Sequence, residues 1–267
     1  MELINFLQYS FIQKAFFSGS FVAIICSALG LFLVLRKMSL IGDGLSHVSF
    51  GAIALGLFFG IYPYYIAIPL VMIASIVILK ISEKAKIYGD AAIGIVSAIG
   101  IAGGVILVSV SKGFNVDLFS YLFGNILAIS SGELILLVLL SLIVLATIYF
   151  FYWDLFSATF DEEYAKTTGI KINFINILLT ILTSLCVVLS IKIVGIMLVS
   201  ALLILPSVTA LQIAKGFKSV MFIGAIISVI SVISGITFSF FLDIPTGATI
   251  VMINAIFFGL ALLIKKL

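Results

Sequence analysis

Apolar segments of roughly twenty residues, the length a helix needs to cross ~30 Å of hydrocarbon, recur along this chain almost without interruption. They fall at about 14–35, 46–61, 64–82, 91–111, 133–152, 173–191, 194–214, 219–241 and 246–264. In lipid every backbone N–H and C=O must be satisfied within the chain, which restricts such runs to helices. Because the apolar residues are continuous instead of alternating, a β-barrel is excluded. The chain therefore reads as an all-α, polytopic transmembrane helical bundle of about nine spans. The count drops to eight if the second run, short and opened by polar residues, enters the bilayer only partly, or if the tight connection at Lys192 does not separate two spans. Composition agrees: 64% hydrophobic and 9% charged residues, with a mean hydropathy of +1.42, lie outside the soluble globular range. No removable signal peptide is expected, since Glu2, Gln8 and Gln13 precede the first long run and no cleavage-type site follows. Residues 1–267 are expected to form a single transmembrane domain.

Basic residues near the span ends set the orientation. Under alternating spans, Arg36, Lys37, Lys80, Lys84, Lys86, Lys166, Lys171, Lys215, Lys218, Lys265 and Lys266 share one side. Lys14, Lys112 and Lys192 share the other. The richer side is expected in the cytoplasm, which puts the N-terminus outside and the C-terminus inside. The same clustering at helix ends accounts for the net charge of +3 without nucleic acid. Cys26 and Cys186 sit in the middle of separate apolar runs and read as small core residues, not as a disulfide framework.

Two connections are long. Lys112 to Glu133 carries Phe114, Phe119, Tyr121, Leu122 and Phe123, too apolar for a solvated loop, and is expected as an interfacial or re-entrant helix on the outer side. On the inner side, Trp153 to Lys171 contains Asp161-Glu162-Glu163-Tyr164-Ala165. Asp161 is a good N-cap, Glu162 and Glu163 complement the helix dipole, and Gly169 can terminate in the left-handed conformation. A helix of about two turns, from Asp161 to Thr168, is predicted. It suits either a solvated connection or a docking element for a cytoplasmic partner. The link at Lys192 is tight, so the flanking spans should form a close hairpin. Gly100 with Gly104, and Ser231 with Gly235, are steps that let helices approach closely. Pro206, inside the seventh span, should bend its helix.

Against this apolar background one pair stands out. Asp43 and His47, the only histidine, lie four residues apart and hence on one helix face. Both ligate divalent transition metals, and both are costly in hydrocarbon. The bland alternative is a helix start, with Asp43 as N-cap and His47 bonded to a carbonyl. One Asp and one His are too few for a specific metal site. A two-fold axis would present the pair twice, and four N and O ligands suit Zn²⁺ directly or Mn²⁺ with added waters. No Walker loop, kinase signature, Ser-centred elbow or His-Glu-x-x-His pair is present, so ATP hydrolysis and intramembrane metalloproteolysis are not expected.

Five segments in order resemble the integral-membrane permeases of bacterial manganese/zinc/iron ABC importers, the ABC-3 type. They are Leu40–His47, Tyr121–Leu127, Phe160–Ala165 with Gly169, Val194-Gly195 through Leu205-Pro206, and Leu242-Asp243-Ile244-Pro245-Thr246-Gly247-Ala248. The resemblance spans nearly the full length. It implies a fold similar to the vitamin B12-type ABC importer permease, with two copies around a two-fold axis and cytoplasmic ABC ATPase subunits below. It also implies an extracytoplasmic solute-binding protein that delivers the ion, and residence in the bacterial cell membrane. Asp43 and His47 would line the path of the transported Zn or Mn ion. The helix at about 160–170, with Asp161, Glu162, Glu163 and Gly169, would couple to the ATPase. Gly195, Pro206, Asp243, Pro245 and Gly247 would be structural or hinge positions. No permanently bound cofactor is implied, ATP being used by the partner subunit. A proton-coupled secondary metal transporter is the rival reading; it should carry charged residues within several spans, whereas here they cluster at span ends.

Overall fold

The computed structural model describes residues 8–85, 89–111, 121–125 and 129–266. The described residues form helices α1 (Ser10–Leu35), α2 (Ile41–Phe58), α3 (Pro63–Ala85), α4 (Gly89–Val110), α5 (Ser131–Phe150), α6 (Tyr152–Phe160), α7 (Glu162–Thr167), α8 (Ile172–Val194), α9 (Val199–Ile213), α10 (Phe217–Leu242) and α11 (Thr246–Lys266). A 3₁₀ turn at Ile196–Leu198 leads into α9. Nine of these elements are long and apolar enough to cross a membrane among the described residues, as expected. The chain is a multi-pass membrane protein.

α1 and α8 form the centre, each 72% buried along its most apolar stretch, whereas α4 is 17% buried and faces outward. Around the centre, α9 and α10 pack on α1, α3 packs on α8, and α2 is held between α3 and α4. The second span begins at Ile41, not at residue 46, and its 18 residues reach about 27 Å at 1.5 Å per residue. That is close to a full crossing. The earlier start arises because Gly42 and Gly44 are packing positions: a Cβ at Gly42 would stand 2.8 Å from Leu203 Cδ1, and one at Gly44 would strike Ile93.

The turns explain where the helices stop. After α1 the amide of Met38 donates to Leu33 O (2.8 Å) and that of Lys37 to Val34 O (3.1 Å), with Lys37 in the left-handed region at φ 57°. This is a Schellman ending. Gly60, Gly169 and Asp243 end α2, α7 and α10 with positive φ in the same way. At the start of α5, Ser130 and Glu133 form a reciprocal capping box.

One connection differs from expectation. Tyr152–Phe160 is a helix of its own instead of a loop. Its Leu155 and Ala158 are buried, and Phe156 packs at a tilt against Phe160 (4.7 Å) and meets Phe217 edge-on (5.0 Å). The predicted helix after it is shorter by one residue at each end, α7, with Asp161 as its N-cap. In the other long connection, residues 121–123 form one helical turn. The rest of the expected interfacial helix, with Lys112, Ile126 and Leu127, lies outside the described residues, as does Lys86 on the other side.

Candidate functional site

The Asp43–His47 pair occupies the first two turns of α2. Leu40, not Asp43, is the N-cap residue, so the aspartate is not consumed in capping; it sits where a negative charge complements the helix dipole. His47 Nε2 lies 3.5 Å from Asp43 Oδ2. Two ligands at ~2.1 Å from a tetrahedral ion are separated by ~3.4 Å, so the pair can share one cation with little movement. The side chains are 25% and 49% exposed, so the face they share is open on the protomer's surface. Among the described residues no three His, Cys, Asp or Glu side chains gather into a metal-binding group. A further ligand from a single copy is therefore not at hand within those residues.

The back of α2 is pressed against α4 by glycines. A Cβ at Gly51 would stand 2.5 Å from Gly100 O, and one at Gly100 would stand 2.7 Å from Val48 Cα. This main-chain contact fixes the rotation of α2 and hence the direction in which Asp43 and His47 point. Gly104 continues the same seam against Phe50 and Gly51.

At the same end of the bundle stands a corner that the charge pattern did not reveal. Arg36, just past α1, donates from Nη2 to Asn176 Oδ1 (2.7 Å) and to Ala158 O (3.2 Å). Asn176 Nδ2 in turn donates to Glu162 Oε1 (3.4 Å). Burial draws the Arg36 pKa below its ordinary value, and the Glu162 carboxylate opposes that shift. The guanidinium thus ties α1 to α6, α7 and α8 at once. Asp161 Oδ1 accepts from the Tyr164 amide (2.9 Å), and Gly169 has φ 88°. Glu162 and Glu163 are both exposed, but only Glu162 faces the Arg36 cluster.

At the opposite end three glycines meet. A Cβ on Gly195 would strike the Leu122–Gly124 backbone, one on Gly247 would strike the Val194 carbonyl, and one on Gly124 would stand 2.7 Å from Ile193 O. The Asn125 amide donates to Lys192 O (3.0 Å) across the junction. Gly195, with φ 85° and ψ 157°, occupies a region open almost only to glycine. Asp243, at φ 52°, and Pro245, whose carbonyl accepts from the Thr249 amide (3.1 Å), shape the turn that brings Gly247 there. Pro206 is remote from this knot. It is buried within α9, where Ser207 Oγ donates to Ser27 O (2.9 Å) of α1. Beside the knot, Lys192 Nζ pairs with Glu133 (3.0 Å) and lies over the Tyr121 ring, while Tyr62 donates to Glu133 Oε1 (2.6 Å). Burial first, and the Glu133 hydrogen bond second, push the Tyr62 phenol well above its usual pKa. Nothing in the sequence marks Arg36 and Asn176, or this cluster around Glu133, for function. The Ser130-x-x-Glu133 box was a legible signal for part of the latter.

Known proteins share this arrangement. The chain is 36% identical over 255 residues to the manganese transport system membrane protein MntC of Halalkalibacterium halodurans, covering 96% of this chain and 87% of that protein. It is 34% identical to the high-affinity zinc uptake system membrane protein ZnuB of Haemophilus influenzae, covering 96% and 98% of the two chains. Among solved structures, a chain of PsaBC from Streptococcus pneumoniae in complex with Fab superposes with a TM-score of 0.88 at 34% identity, covering 97% of this chain and 94% of that one. The ABC 3 transport family model matches residues 8–265. The likeness runs over nearly the whole length, and this chain belongs to the ABC 3 transport family.

Proposed function

We propose that this chain is the membrane-spanning permease subunit of an ATP-driven importer of a divalent transition metal ion, Zn or Mn, and that Asp43 and His47 line the path. The observation that carries this reading is a carboxylate and an imidazole 3.5 Å apart on an open face inside a membrane span. Ionisable groups placed there are costly unless they serve a path or find a partner. Membership of a transport family and relatives named for manganese and zinc transport support the same cargo. A second copy facing the first across a two-fold axis would supply two carboxylates and two imidazoles, a set suited to a borderline cation held weakly enough to be released. The proton-coupled secondary transporter finds no support among the likenesses.

The partners follow from the same reading. Cytoplasmic ABC ATPase subunits would dock at α7, with Glu163 turned outward and Glu162 held by the Arg36 cluster; Asp161 and Gly169 fix the two ends of that helix. An extracytoplasmic solute-binding protein would deliver the ion at the glycine-knot end. Gly195, Gly247, Asp243 and Pro245 would hold the shape of that end, and Pro206 would set the bend of α9 against α1. The N-terminus is placed outside and the C-terminus in the cytoplasm of a bacterial cell, on the distribution of Lys and Arg, with all residues acting as one permease domain.

The test is metal uptake by the assembled transporter carrying Asp43→Ala or His47→Ala. Both side chains are part-exposed, so folding should change by only ~0.5 kcal/mol. Uptake of Zn²⁺ and Mn²⁺ should fall to background at normal expression. Wild-type uptake by either variant would refute the path.

A further inference from the structure

We propose that the recess between α6 and the start of α10 is a binding site for the phosphate headgroup of an anionic phospholipid. Two depressions of about 450 Å³ each flank a stack in which Lys218 Nζ lies 5.3 Å from the Trp153 ring centre and 5.8 Å from that of Tyr152. Tyr149 and Phe150, which end α5, line the first and are 79% and 80% exposed. Lys215, Gly216 and Ser219 line the second. The recess therefore spans the boundary of the bilayer. One edge is the last turn of a membrane span, fit to lie along acyl chains, and the other is a pair of lysines.

The charge is arranged for an anion. Among the described residues neither Lys215 nor Lys218 pairs with a carboxylate; the ion pairs there are His47–Asp43 and Lys192–Glu133. Asp154, which follows Trp153 on α6, forms no ion pair with either lysine. Both lysines also stand at the N-terminus of α10, whose first turn carries no acidic residue and whose N-cap, Gly216, offers no side chain. Cations are disfavoured at the positive end of a helix dipole, so an anion seated beside these lysines is favoured both by their charge and by the dipole. The cation–π contacts hold the Lys218 ammonium at the mouth of the recess, while Trp153, 65% exposed, gives the amphipathic ring that membrane boundaries favour. A lipid fits better than a soluble anion because half the wall is apolar and continuous with a span. α6 runs into α7, so an occupied recess would brace the docking corner from its lipid side. The proposal does not depend on the cargo or on Asp43 and His47.

The experiment is native mass spectrometry of the full-length chain released from detergent. It is equilibrated with equal amounts of phosphatidylglycerol and phosphatidylcholine of identical acyl chains, with a parallel arm in inorganic phosphate. The wild type should retain phosphatidylglycerol preferentially, and each of Lys215→Gln and Lys218→Gln should lower that preference by roughly five-fold. Lys218→Arg, which keeps both charge and ring contact, should retain it, so a loss through misfolding is distinguishable. No preference in the wild type, or an unchanged preference in the Gln variants, overturns the proposal. Displacement of the lipid by millimolar phosphate assigns the recess to a soluble anion and also overturns it. So does loss of a co-purifying ATPase subunit from the Gln variants with lipid preference intact, which would make the recess a protein-docking surface.

Discussion

Replacing Arg36 by Ala should remove more stability than any other single charge deletion at the α7 end of the bundle. The guanidinium makes two hydrogen bonds, at 2.7 Å to Asn176 Oδ1 and 3.2 Å to Ala158 O, and its burial is partial. Bonds from a charged donor contribute about 1.5–3 kcal/mol each, and the lower end applies where solvent reaches the group, giving about 3 kcal/mol for the pair. The attraction to Glu162 adds less, about 0.5 kcal/mol, because that carboxylate is exposed. Arg36→Lys keeps the charge but reaches one acceptor at a time, so about half the loss should return. Asn176→Ala alone should cost about 1.5 kcal/mol, and the double variant should fall short of additivity by about the same amount. Equilibrium unfolding in mixed micelles, followed as the fraction of denaturing detergent rises, measures all four. An Arg36→Ala protein within 0.5 kcal/mol of wild type, or strict additivity with Asn176→Ala, would refute this bracing role and leave Arg36 as an ordinary span-end charge.

The glycine knot separates two substitutions of the same chemistry. Gly195→Ala combines a glycine-only backbone with a clash against main chain and should cost more than ~4 kcal/mol, whereas Gly132→Ala, with open space around it, should gain up to ~1 kcal/mol; the folded fraction after detergent extraction reports both, and a stable Gly195→Ala would contradict the contact. At α7, Glu163→Lys should leave stability unchanged while reducing co-purification of the proposed ATPase subunit. Glu162→Lys should reduce co-purification likewise but lose about 1 kcal/mol of stability through repulsion with Arg36; equal stability of the two variants would show that the acids are equivalent.

The spans were legible because hydrocarbon tolerates few alternatives: a run of twenty apolar residues is a helix whatever surrounds it. The start of α2 was harder, since Gly42, Asp43 and Gly44 dilute the apolar signal at the point where close packing requires small residues. α6 was hidden because it follows the aromatic end of α5 almost without a break and carries Asp154, Ser157 and Thr159, although Tyr152, Phe156 and Phe160 recur at helical spacing and could have disclosed an aromatic face. The Asp43–His47 pair could be read from chemistry alone, because spacing places two ligands on one face. Arg36 with Asn176 could not: the partners are 140 residues apart, and nothing local marks the hydrogen bond between them.

The junction of Gly124, Gly195 and Gly247 has a consequence for how this architecture records its own history. At most buried contacts a larger side chain on one element is answered by a smaller one opposite, and the paired changes leave a correlation that reveals the contact. Here each glycine is opposed by carbonyl and amide atoms of another segment, which no substitution can shrink. A change at one position has no second-site remedy, so the three can only stay fixed. A contact map inferred from correlated substitutions would therefore be blank where these three distant segments meet, and fixity alone, read against the coordinates, would show that they touch.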